Sequence, residues 1–105
     1  MTTTARIIVL WGTPQDAAEF DRHYRQVQIP LAKKLPGLRS YTLSRNAASV
    51  RGGDPYYLIA ELDFDDMSCL QKAFQSPEGQ ATAADVADLA ASVRVHSMVF
   101  ELEEA

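Results

Sequence analysis

Tyr24 and Gln28 stand four residues apart in the run FDRHYRQVQIPLAKKLPGLR, which spans residues 20–39. On a helix that spacing puts a phenol and an amide on one face. Two residues later Pro30 supplies no backbone donor, so the Gln26 carbonyl loses its helical partner and Ile29 is expected to leave helical dihedrals. The pair therefore sits at a predicted kink beside a freed acceptor. An amide cannot exchange protons near neutral pH, which weighs against classical acid–base work at Gln28. The competing assignment is structural, with Tyr24 in the core and Gln28 bonded to the broken backbone.

Glu61 lies in the middle of an apolar run, YYLIAELDF. Turned toward a closed, low-dielectric space, its carboxylate could serve as a general acid or base; turned toward a partner chain, it would be a paired structural group. Glu61 and Tyr24 are accordingly the candidate catalytic residues. Trp11, Tyr41, Tyr56 and Tyr57 all fall on predicted strands, and those facing inward would line an apolar pocket. Gln28, Trp11, Tyr41, Tyr57 and His96 are the candidate ligand-binding residues. His23 precedes Gln28 by about 140° of helical rotation and reads as a solvated surface group. Metal binding is not expected, because no His or Cys pair has ligand spacing; a Gly-rich phosphate loop and a Gly-x-Ser-x-Gly elbow are also missing. Gly52-Gly53 is a turn signal.

The elements that must position these residues can be read from periodicity. Phe20, Tyr24, Val27, Leu31 and Leu35 recur at spacings of three and four, the inner stripe of a helix from about Gln15 to Leu35. Pro36-Gly37 stops it. Ile7 to Trp11 is a short apolar run, read as a strand buried on both faces. Leu38 to Arg45 alternates as a strand, and a loop from Asn46 to Asp54 leads to another strand, Tyr56 to Phe64. Asp65 or Asp66 can cap a helix through Gln75 with Met67, Leu70, Ala73 and Phe74 inward. Ser76-Pro77 then opens a further helix, Ser as N-cap and Pro in the first turn. Its expected inner face is Ala83, Val86, Ala87 and Ala90. Val93 to Glu103 is the last strand.

The order β-α-β-β-α-β predicts a ferredoxin-like α+β sandwich, a four-stranded antiparallel sheet with helices on one face and the first and third strands central. Those two strands are also the most apolar, and helices cover only one side of them. A soluble monomer does not expose such a face, so a homodimer is expected. At 105 residues, 47% of them hydrophobic, the chain suffices for one globular domain over residues 1–105 and one core. Net charge is −4 with the basic residues scattered apart from Lys33-Lys34, which argues against nucleic acid as a partner. The opening MTTTARIIVLWG is too short in apolar residues for a membrane span or a leader, and a single cysteine, Cys69, precludes an internal disulfide. A cytoplasmic location is the resulting expectation.

The run Glu19-Phe20, Tyr24, Pro30-Leu31-Ala32, Lys33-Lys34 and Leu35-Pro36-Gly37-Leu38-Arg39 resembles the signature of the EthD family. Ala60-Glu61-Leu62 with Phe64-Asp65 resembles the family's third strand, and Ser76-Pro77-Glu78-Gly79 the start of its last helix. The resemblance implies a dimeric α+β barrel, two sheets facing each other with a pocket in each subunit. It also implies a histidine where this chain has Gln28. No cofactor is expected; haem, held through a histidine in some members of the wider superfamily, finds no support in the spacing of His23 and His96. Two functions follow: a cofactor-independent enzyme or pathway auxiliary acting on a hydrophobic metabolite, or a non-catalytic accessory dimer that binds through the same pocket.

Overall fold

The computed structural model describes residues 4–44 and 46–105. Strand β1 (Ala5–Trp11) leads into helix α1 (Ala17–His23), a π-helical turn (Tyr24–Gln28) and helix α2 (Ile29–Ala32). Strands β2 (Ser40–Leu43) and β3 (Leu58–Phe64) follow, then helices α3 (Met67–Gln75) and α4 (Pro77–Ala90) and strand β4 (Val95–Glu101). The four strands form one antiparallel sheet in the order β2-β3-β1-β4, with the two most apolar strands in the middle as expected. The predicted strand through Arg45 ends at Leu43, and Arg45 lies outside the described residues. No helix among the described residues is long and apolar enough to cross a membrane.

The barrel implied by the family resemblance is not what the chain forms. Among the described residues the sheet is open, with β2 and β4 as its edges. A closed barrel brings its edge strands together around an interior, whereas the four described strands of this chain lie as one uncurled layer whose edges do not meet. The ferredoxin-like arrangement stands, the barrel does not.

Capping explains where the helices begin. Asp16, Asp66 and Ser76 each accept a hydrogen bond from the backbone N–H three residues on, at 3.1, 2.8 and 3.1 Å. The stretch around Pro30 departs from expectation. Ile29 keeps helical dihedrals (φ −60°, ψ −49°), and its N–H reaches back five residues to the Tyr24 carbonyl. Proline is harmless in the first turn of a new helix, where its missing N–H is not required. The chain thus absorbs it by widening one turn rather than by breaking, the kind of π-bulge common at functional sites.

Alternation along the strands sorts side chains onto two faces. Trp11, Ala60 and Phe64 point to the helices and are buried, Trp11 and Phe64 completely. Helix α4 turns Gly79, Thr82 and Asp85 inward; Ala83, Ala87 and Ala90 are exposed, so only Val86 of the expected inner face packs on the core. The helices stop short of β4, since Ser97 and Val99, paired with the helix-facing Val9 and Ile7, are exposed. On the other face Ile8, Leu10, Ile59 and Phe100 are half-buried beside exposed Met98 and His96. Arg6 crosses this face, its guanidinium donating to both carboxylate oxygens of Asp63 (2.7 and 2.9 Å) and pairing with Glu61 at 3.0 Å. These bonds hold the Asp63 carboxyl below the usual carboxylate range.

Candidate functional site

A cavity of about 180 Å³ lies between the sheet and the helices, on the side opposite Arg6 and Glu61. Its floor is Ile7 and Val9 of β1 with Ala60 and Leu62 of β3; Phe74, Thr82, Ala83 and Val86 form one wall. Ser97 and Ala83 are the exposed residues of the lining and mark a mouth beside β4, where helical cover ends. Trp11, Tyr24, Gln28 and Tyr41 complete it. No lining residue carries a charge near neutral pH.

The π turn sets the polar end. Tyr24 and Gln28 are its first and last residues, both are about 95% buried or more, and both line the cavity. The Tyr24 and Tyr41 hydroxyls are 2.6 Å apart. Burial raises the pKa of both phenols, reinforced at Tyr24 by its neighbour, so each stays protonated. Two phenols share one hydrogen bond; whichever donates, the other retains a proton to offer. Phe20 stacks on Tyr24 at 5.8 Å and meets Trp11 edge-on at 5.4 Å, fixing both rings. Among the described residues neither the buried Trp11 Nε1–H nor the Gln28 Oε1 finds a partner, and each such orphan costs about 1–3 kcal/mol.

Four of the seven residues singled out from the sequence thus meet at one cavity: Trp11, Tyr24, Gln28 and Tyr41. The other three do not reach it. Glu61 faces the helix-free side, paired with Arg6 and about one-third exposed at its side chain. His96, opposite Leu10, is exposed on that same side. Tyr57 packs on Phe20 and donates to the Asp21 carboxylate at 2.9 Å. Thr82 also lines the cavity and was not among the residues singled out from the sequence; its hydroxyl donates to the Glu78 carbonyl at 2.8 Å. The spacing Gly79, Thr82, Val86, Leu89 was the available signal. His23, read as a surface group, instead has its Nε2 2.7 Å from the buried Asp85 Oδ1, a contact across 62 residues that periodicity does not reveal.

Comparison with known proteins agrees with the shape of this chain. Residues 13–92 match the EthD domain. An 11.0 kDa protein from the thcB–thcC intergenic region of Rhodococcus erythropolis is 36% identical over 86 residues, 81% of this chain and 82% of that protein. The crystal structure of an EthD family protein from Bacillus halodurans superposes with a TM-score of 0.84 at 32% identity, covering 95% of this chain and 99% of the other. At 19% identity, the cofactor-independent oxygenase SnoaB from Streptomyces nogalater shares the fold, with a TM-score of 0.66 over 97% and 95% of the two chains. Structures of this fold also include a hydroxynitrile lyase and two proteins described as dimeric. The family signature around the π turn, the domain match that contains it and two relatives above 30% identity have one reading, that this chain belongs to the EthD family.

Proposed function

We propose that the cavity binds a small hydrophobic metabolite and that binding, rather than proton transfer, is what its lining is built for. The observation that carries this is an apolar chamber whose polar groups, two phenols, an amide, an indole N–H and the hydroxyls of Thr82 and Ser97, all remain neutral at physiological pH. An engineered apolar cavity of about 150 Å³ takes benzene, so a chamber of about 180 Å³ is suited to a single substituted ring. A second reading is a cofactor-independent enzyme in which the free proton of the Tyr24–Tyr41 pair polarises a carbonyl; the 2.6 Å phenol pair favours it. Glu61 enters either reading as the ion-pair partner of Arg6, and its proposed role as a proton carrier is open to direct test.

Trp11 is the single tryptophan of the chain and lines the cavity, so its fluorescence reports on occupancy. Toluene is expected to change Trp11 emission saturably with a Kd of about 0.1–1 mM, or roughly −4 to −5.5 kcal/mol. Glu61→Gln should leave that Kd within about twofold, since the side chain lies across the sheet, and should cost under about 1 kcal/mol of stability as a pair about one-third exposed. No saturable change would refute the binding role; a lost response in Glu61→Gln with the fold intact would restore Glu61 to the site.

We also propose that the protein is a homodimer, two open sheets stacked through the helix-free face, because Ile8, Leu10, Ile59, Met98 and Phe100 share that face. Ile59→Asp would put an unpaired carboxylate at its centre. Sedimentation of the wild type at micromolar concentration should give a dimer and the variant a folded monomer; a wild-type monomer removes the proposal.

A further inference from the structure

We infer that the ligand of this cavity is a neutral alcohol, a ring-sized molecule whose hydroxyl donates to the Gln28 amide oxygen. The inference rests on the binding role proposed above and names the class of molecule. A purely apolar guest would fill the chamber yet leave Gln28 Oε1 buried and unbonded, although this residue is only 5% exposed and borders the cavity. Backbone does not satisfy it, although it sits at the end of the π turn. An acceptor of this kind needs a donor from the guest.

The rest of the lining supplies the complementary half. The Tyr24–Tyr41 pair keeps one proton free, and the Trp11 indole adds a donor without an acceptor among the described residues. A hydroxyl group both donates and accepts, so it can serve Gln28 and one of these donors, whereas an ether or ketone can only accept. Charge excludes a carboxylate or an ammonium head. No lining residue is cationic or anionic, so a carboxylate or an ammonium would enter an apolar chamber without a counter-ion. The guest is therefore neutral, and the hydroxyl is the smallest neutral group that both donates and accepts.

Three non-fluorescent or spectrally separate probes decide the matter with Trp11 excited alone at its red edge: cyclohexanol, methoxycyclohexane and toluene. The expected result is that cyclohexanol binds the wild type roughly tenfold more tightly than methoxycyclohexane, the gain of one well-made buried hydrogen bond. In Gln28→Met, which keeps side-chain length and removes the acceptor geometry, that ratio should fall to about one. Equal wild-type affinities for cyclohexanol and methoxycyclohexane would overturn the inference and leave the cavity's binding role standing; a preference unchanged in Gln28→Met would overturn Gln28 as its source. Absence of binding by all three probes would instead overturn the binding role itself. The wild-type comparison needs no variant, so a failure of Gln28→Met to fold does not protect the inference.

Discussion

Gly79→Ala is expected to destabilise the protein by about 3 kcal/mol, near the upper end of what overpacking usually costs. A Cβ at this position would lie 2.2 Å from the Ala73 carbonyl oxygen and 2.4 Å from the Phe74 Cα. Both atoms are backbone, so no change of rotamer relieves the overlap. The first turn of α4 must move away from the end of α3, and the Ser76 cap that joins the two helices moves with it. Phe74 also lines the cavity, so the same substitution should weaken toluene binding. Gly12→Ala is the control: its Cβ would meet only the flexible Arg94 side chain, at 3.0 Å, and should cost under about 1 kcal/mol. Urea denaturation of the three proteins checks the ranking, and a Gly79→Ala midpoint equal to that of the wild type would contradict the close approach of α3 and α4.

Ala60→Leu should do the reverse, abolishing binding while sparing the fold. Ala60 is 1% exposed at the centre of β3, and its side chain forms part of the cavity floor. A larger side chain placed in an existing chamber fills space instead of displacing neighbours, so thermal stability should change by no more than about 1 kcal/mol. The ligand then loses its place. Toluene affinity is expected to fall about 100-fold, equivalent to about 2.7 kcal/mol. Unaltered affinity in a folded Ala60→Leu protein, read by calorimetry, would mean that toluene binds elsewhere.

Much of the frame could be read in advance because it is written in local signals. Asp66 and Ser76 announce helix starts through side-chain capping, and two apolar runs announce the central strands. The site was partly legible for the same reason: Tyr24 and Gln28 are close in sequence, so any helical turn brings them to one side. What escaped depended on how the chain relieves a local conflict or on contacts between distant segments. Pro30 could break the helix or widen it, and the dihedral preferences of Ile29 alone favoured the break that did not occur. The face on which the pocket lies depends on how far the helices extend across the sheet. They stop before β4, opening a mouth at Ser97 on the helical side, a fact of packing that strand alternation does not contain. For Glu61 the sequence left two orientations open, a closed space or a paired structural position; it lies paired with Arg6 on the helix-free face, across the sheet from the chamber. The barrel was carried by family resemblance and gave way to an open sheet with β2 and β4 as its edges among the described residues.

The most direct test is a crystal structure of the protein grown with saturating toluene. The ring is expected between Val9, Ala60 and Val86, beneath the Tyr24–Tyr41 pair and beside Gln28, with no ring density elsewhere on the molecule. A ring seated on the helix-free face near Glu61, or in a second cleft lined by Pro14, Phe20, His23 and Leu89, with the Tyr24 chamber unoccupied, would contradict the assignment.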